Sequence, residues 1–178
     1  MLKKIKLFEG FSGYGSQKLA FNRLNIPVES VGISEIDPDA IIAYAALHCD
    51  ESQYVDEGLD VETKRQILMD CNVGYDFKEG KSKIPRMKKV KLEQLFKAHI
   101  LSKNKGDISL LQVDDLPDMN FFTYSSPCTD ISVAGKQEGL EKGSGTRSSL
   151  LWECEKVITG KRPEYLMMEN VKNLVGKN

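Results

Sequence analysis

A short apolar run, Ile5-Lys6-Leu7-Phe8-Glu9, breaks at Gly10, and glycines recur at Gly13 and Gly15 before a helical apolar spacing starts at Gln17. A strand that turns through glycine directly into a helix opens a βαβ unit, and that pairing commits the chain to an α/β architecture. The pattern then repeats. Asn25-Ile26-Pro27 ends the helix, and Val28–Ser34 reads as a second strand with Val31 and Ile33 on one face. Asp37-Pro38 marks the next helix start, since an acidic cap and a proline at the first helical position are both favourable. That helix runs through Ala40, Ile41, Tyr44 and Leu47.

Residues 48–105 differ in character, being charged and broken by Gly58, Gly74 and Gly80. Two helices are expected there, over 61–69 and 91–101. The segment reads as an insertion between core elements, without a strand set or core of its own. Order returns at Gly106-Asp107-Ile108. Phe121–Tyr124 is a buried strand stopped by Ser125-Ser126-Pro127, and a Gly- and Ser-rich loop follows over 135–145. Residues 148–160 form a helix with Leu150, Leu151, Cys154, Val157 and Ile158 on one face, and Tyr165–Met168 is the last strand. The expected fold is a Rossmann-like, doubly wound, mostly parallel sheet over the whole of 1–178.

Composition narrows the function. The 178 residues are 40% apolar and 29% charged, enough for a core, and 25 Lys+Arg against 26 Asp+Glu exclude a globally basic nucleic-acid binder. The longest apolar runs, such as 40–47, are too short for a membrane span, and no export signal follows the N-terminal lysines, so a cytoplasmic chain with reduced thiols is expected. Cys49, Cys71, Cys128 and Cys154 form no CxxC pair and have no zinc-like His spacing; no metal is expected.

In parallel sheets, ligands collect beyond the carboxyl ends of the strands. Those positions hold Gly13 and Gly15, then Glu35 and Asp37, then Pro127 and Cys128, then Glu169 and Asn170. Glycine in the first turn lets a nucleotide-like ligand approach the backbone, although many such turns carry glycine for steric reasons alone. Glu35 stands where a carboxylate accepts ribose hydroxyls, with Ile36 beside it to cover a flat ring; the competing reading is a solvated loop acid. Asp37 is a helix N-cap. Pro127 presents Cys128 at a rigid polar turn, whereas Cys49, Cys71 and Cys154 read as packing residues. Glu169, at the end of an apolar strand, is placed for desolvation and proton-sharing with a ring nitrogen, or simply caps the next turn.

Phe11-Ser12-Gly13-Tyr14-Gly15, Pro127-Cys128 and Glu169-Asn170-Val171, in this order, resemble the DNA (cytosine-5) methyltransferase family. Gly106-Asp107-Ile108 is similar to that family's adenine-contacting segment, and residues 135–150 to its loop and following helix. The resemblance covers nearly the whole chain apart from the insertion. It implies S-adenosylmethionine over the turn of Phe11, Gly13 and Gly15, with Glu35 on the ribose, Ile36 on the adenine, Asp107 on the adenine amino group, and Pro127 and Leu150 lining the pocket. It implies that Cys128 attacks C6 of a cytosine flipped out of DNA, that Glu169 holds N3 and the exocyclic amine, and that Ser126, Asn170 and Val171 lie on the substrate side. A bacterial or phage restriction-modification setting follows by the same analogy.

Two departures stand out. Thr129 replaces the glutamine usual after Pro-Cys in the family, and family members continue well past Asn178. The expectation is therefore an N-terminal part of a catalytic domain, with the target-recognition region on a C-terminal half or partner subunit. Three alternatives are carried: a catalytically silent remnant or split subunit, a tRNA cytosine-5 methyltransferase, and a dinucleotide oxidoreductase that would leave Pro127-Cys128 and Glu169-Asn170 idle. The basic run Lys81, Lys83, Arg86, Lys88, Lys89 and Lys91 reads as a solvated face before a phosphate contact. His48 and His99 are given no role, and Trp152 is read as core.

Overall fold

The computed structural model describes residues 4–126 and 150–170. In chain order the elements are β1 (Ile5–Gly10), α1 (Ser16–Arg23), β2 (Val28–Ser34), α2 (Pro38–His48), α3 (Val61–Asp70), β3 (Tyr75–Asp76), β4 (Lys81–Ser82), α4 (Lys89–Leu101), β5 (Phe121–Tyr124), α5 (Leu151–Lys161) and β6 (Tyr165–Met168). Four strands make one sheet in the order β2-β1-β5-β6, and each neighbouring pair is parallel. The expected fold is present. The chain crosses from β2 to the far side of β1, so its winding reverses between β1 and β5, the kind of switch point at which such sheets take ligands.

Register sets the working edge. Gly10 pairs with Ser34 and with Tyr124, and Tyr124 pairs with Met168, so all four strands end level. β1 is central and buried on both faces, Leu7 and Phe8 being fully buried. Phe8 and Phe122, opposite one another in register, hold their ring centroids 6.0 Å apart. Ile108, Leu116, Met119 and, from α5, Cys154 and Val157 complete that cluster. Truncating Phe122 there would cost about 3–5 kcal/mol. Trp152, read as core, is only half-buried. α5 ends at Arg162 in the left-handed conformation, with Pro163 behind it blocking continuation. β6 is the outer strand of the described sheet, and Tyr165, Leu166, Met167 and Met168 are all exposed.

The segment 48–105 corrects one expectation. It carries strands, since β3 and β4 pair antiparallel through Tyr75–Ser82 and Asp76–Lys81. It also has a buried cluster, in which Leu68, Val73, Ile84, Leu92, Leu95 and Phe96 pack with Ile41 and Ala45 of α2. Leu92, Leu95 and Phe96 fall at helical spacing on one face of α4, and the surrounding lysines and glutamates mask that stripe in the composition.

Candidate active site

The turn after β1 places three residues in left-handed backbone: Phe11 (φ 54°), Gly13 (φ 53°) and Gly15 (φ 77°). For Phe11 this conformation costs roughly 1–2 kcal/mol. It is held by Ser125 Oγ, which donates to the Phe11 carbonyl at 3.2 Å, and by packing against the Phe8–Phe122 cluster. The two glycines differ in purpose. A Cβ on Gly15 would come within 2.6 Å of the Tyr44 ring and 2.7 Å of His48 Nε2, whereas one on Gly13 would meet nothing within 4 Å. Gly15 is glycine for packing; Gly13 faces open space above the turn.

Glu35 closes this turn. Its Oε2 accepts the Gly13 amide at 2.8 Å, and its Oε1 accepts the amides of Ile36 and Asp37, each at 2.8 Å. Asp107 is built in the same way. Its Oδ1 accepts the Ser109 amide at 2.9 Å and the Ser109 hydroxyl at 2.8 Å, and its Oδ2 accepts from Asn72 Nδ2 at 3.0 Å. An ionised carboxylate has about four acceptor sites. Each acid thus commits three to the protein and keeps one, a pair suited to a ligand that presents a hydroxyl and an amino group. Asp37 caps α2 as expected, accepting from the amides of Asp39 and Ala40.

A residue that sequence reasoning missed joins the two loops. Asn104 is buried; its Oδ1 accepts the amides of Glu35 (3.0 Å) and Gly106 (3.1 Å), and its Nδ2 donates to the Glu35 carbonyl (3.0 Å). The same Nδ2 lies 3.2 Å from His99 Nδ1. Ser34 Oγ donates to the Gly106 carbonyl at 2.7 Å, and the Lys105 amide bonds the Ile33 carbonyl at 2.8 Å. The only signal in the sequence was a polar residue two positions before Gly106-Asp107, set between lysines that read as loop.

On the β5–β6 side of the sheet edge Ser126 is buried, and Asn170 Nδ2 donates to its hydroxyl at 3.2 Å and its carbonyl at 3.4 Å. The structure therefore brings the ends of β5 and β6 together through two of the expected substrate-side residues. Leu150 packs on the same cluster as Phe11 and Tyr124. The Glu169 amide bonds the Tyr124 carbonyl at 3.1 Å, and its side chain is exposed among the described residues, where β6 is the outer strand and its own residues are exposed. Pro127, Cys128 and Val171 lie outside the described residues. Burial pushes the other thiols up, Cys154 to about 12 and Cys49 and Cys71 in the same direction, so all three fit the packing role.

Beneath the turn lies a second feature the sequence reading passed over. Glu9 is buried within β1, where Tyr44 Oη donates to its Oε2 at 2.7 Å and Oε1 has no partner among the described residues. Burial pushes its carboxyl up. His48 accepts no catalytic geometry; its Nε2 sits 3.0 Å from the Tyr14 carbonyl. Half of the basic run is paired with neighbouring acids, Lys81 with Glu79, Lys83 with Asp76 and Lys91 with Asp39. Among the described residues no group of three or more His, Cys, Asp or Glu could hold a metal, and no helix is long and apolar enough to cross a membrane.

Comparison with known proteins gives a consistent answer. The family model for C-5 cytosine-specific DNA methylases matches residues 81–178. The chain is 50% identical over 176 residues to the type II methyltransferase M2.ScrFI of Lactococcus lactis subsp. cremoris, covering 98% of this chain and 49% of that one. It is 34% identical over 186 residues to the orphan methyltransferase M.SssI of Spiroplasma monobiae, covering 98% and 48%. Among solved structures, Dnmt2 methyltransferase of S. pombe superposes with a TM-score of 0.53 at 20% identity, covering 98% of this chain and 36% of that one, a likeness of fold. The chain spans about half the length of the curated relatives it matches.

Proposed function

The chain belongs to the C-5 cytosine-specific DNA methylase family, and from that premise we propose that it carries the cofactor site and nucleophile of an enzyme methylating C5 of cytosine in DNA. The observation that carries this reading is the level ending of four parallel strands, which gathers the glycine turn, Glu35, Ser126 and Asn170 on one edge. M2.ScrFI is named a type II methyltransferase, which supports a restriction-modification setting.

S-adenosylmethionine would supply an electrophilic methyl group on sulfonium. The residues present fit it: open space over Gly13, and one uncommitted acceptor site on each of Glu35 and Asp107 for a ribose hydroxyl and the adenine amine. Phe11, Ile36, Pro127 and Leu150 would line the remainder. Gly15 serves by keeping the turn pressed on Tyr44 and His48.

The chemistry assigned to the protein begins at Cys128. As thiolate it adds to C6 of a cytosine turned out of the duplex, because C6 cannot reach a protein thiol inside the stack. Glu169 accepts from the exocyclic amine and gives a proton to N3, so that negative charge does not accumulate on the ring as the C–S bond forms. Glu169 is exposed and so stands open to a base arriving from solvent. C5 then acts as an enamine-like nucleophile. After methylation, solvent water takes the C5 proton, Cys128 leaves as thiolate and N3 returns its proton to Glu169, which restores the C5–C6 double bond. Asn170, through Ser126, holds the backbone entering Pro127-Cys128. Val171 is assigned to the substrate side with them.

The test is trapping. A duplex with 5-fluorocytosine at the target position blocks the final proton loss, so the covalent complex accumulates. The expected result is a denaturation-resistant adduct formed in the presence of S-adenosylmethionine, with the C-terminal half of M2.ScrFI supplied in trans, and lost in Cys128→Ser. An adduct that survives in Cys128→Ser overturns the assignment of nucleophile. Trapping on transfer RNA instead of DNA overturns the substrate.

A further inference from the structure

Resting on the cofactor reading above, we propose that Asn72 is a positioning residue for purine recognition, acting through Asp107. Asn72 lies ahead of the residues that the family model matches, in the charged segment read as an insertion.

The local structure explains how it comes to face Asp107. α3 ends in a Schellman turn: the Asn72 amide bonds the Met69 carbonyl at 2.9 Å and the Val73 amide bonds the Leu68 carbonyl at 2.9 Å. Asn72 occupies the left-handed position of that turn (φ 55°), which glycine and asparagine tolerate best. Glycine would satisfy the turn. Asparagine adds a donor, and that donor is spent on Asp107 Oδ2 at 3.0 Å.

The contact is reinforced on both sides. The Asp107 amide bonds the Cys71 carbonyl at 2.9 Å, and a Cβ on Gly106 would lie 2.2 Å from that same oxygen, so the two backbones touch. Two residues further on, the Gly74 amide bonds the Ile36 carbonyl at 2.7 Å. Residues 71–74 therefore brace the acid expected at the adenine amine and the apolar residue expected on the adenine face. With Ser109 fixing Oδ1 and Asn72 fixing one site on Oδ2, the carboxylate cannot turn about its Cβ–Cγ bond. Its remaining site is then preset for one donor, an exocyclic 6-amino group, and opposed to a 6-oxo group.

The experiment measures binding rather than turnover. Titration calorimetry is run with S-adenosylhomocysteine and S-inosylhomocysteine on the wild-type chain, Asn72→Gly, Asp107→Asn and the double variant. Asn72→Gly keeps the left-handed turn and is expected to unfold at the wild-type temperature. It should bind S-adenosylhomocysteine about fivefold or more weakly, leave S-inosylhomocysteine within about twofold, and so narrow the discrimination. In the Asp107→Asn background, Asn72→Gly should have no further effect. Asn72→Asp, which also tolerates the turn but sets an acceptor against Oδ2, should weaken S-adenosylhomocysteine further than glycine does. Unchanged discrimination in Asn72→Gly, or an equal loss in the Asp107→Asn background, overturns the proposal and leaves Asn72 a helix terminator. A wild-type chain that binds neither compound overturns the cofactor reading itself, and this inference with it.

Discussion

The Gly13 amide donates to Glu35 Oε2 at 2.8 Å, so the glycine turn after β1 and the acid after β2 form one unit across the sheet edge. Glu35 therefore does two things at once. It fixes the turn, and it keeps an acceptor site beside it.

This coupling separates Glu35 from its neighbour Asp37. Glu35→Ala removes three backbone bonds and the expected ribose acceptor together, so S-adenosylmethionine affinity should fall roughly tenfold or more. Asp37→Ala removes only an N-cap and should cost about 1 kcal/mol of stability with less than about threefold change in affinity. Calorimetric titration and urea unfolding of both variants check this; equal losses of affinity would count against the ribose role.

The two glycines of the turn should fail differently. Gly13→Ala puts a methyl group into open space, so the cost to folding is conformational strain of roughly 1–2 kcal/mol while affinity collapses. Gly15→Ala drives a methyl group into Tyr44 and His48, adding overpacking to the strain for about 3 kcal/mol or more. Unfolding midpoints measured beside cofactor affinity distinguish the two.

Legibility followed the reach of the signal. β2 and β6 were read to the residue, and the Asp37 cap and Pro38 helix start were plain, because strand alternation, caps and turn glycines are local. The parallel sheet came from the alternation of elements, since parallel neighbours require a crossover, whereas the order β2-β1-β5-β6 is visible only in the structure. What escaped was long-range polar pairing. Asn104 and Asn72 act on residues 69 and 35 positions away, and nothing nearby in the chain marks them. Glu9 was read as the end of a strand, though it shares a face with Leu7 and so points inward. The core of 48–105 escaped because charged faces outnumber its apolar stripe.

Asn104 gives a third prediction. Asn104→Ala strips hydrogen bonds from the Glu35 amide, the Gly106 amide and the Glu35 carbonyl, all in or beside a buried site. A buried group left unsatisfied costs about 1–3 kcal/mol, so the variant should lose at least about 2 kcal/mol by urea unfolding. Asn104→Asp keeps the acceptor for both amides and should lose less at Glu35 and Gly106, while sacrificing the donor to the Glu35 carbonyl. If alanine proves no worse than aspartate, the two amides do not depend on this side chain.

The partner of Asn104 makes stability depend on pH. His99 is buried, and burial pushes its imidazole down to about 4, with Lys105 adding in the same direction. The folded chain thus holds His99 neutral where the unfolded chain, with an ordinary value near 6.5, begins to take up a proton. The unfolded state binds more protons between those two values, so the contribution is intact above about pH 6.5 and is lost as pH falls toward 4. Between pH 7 and pH 5 the loss from this one group should be on the order of 2 kcal/mol. Glu9 works the other way, since its raised carboxyl is relieved by protonation as pH falls, and total stability alone would blur the two. The comparison to make is wild type against His99→Gln, by urea unfolding at both pH values. The variant should lose less stability than wild type on acidification, whatever it costs at pH 7. An equal loss in both proteins would mean that the imidazole next to Asn104 is already protonated, or free to become so, in the folded chain.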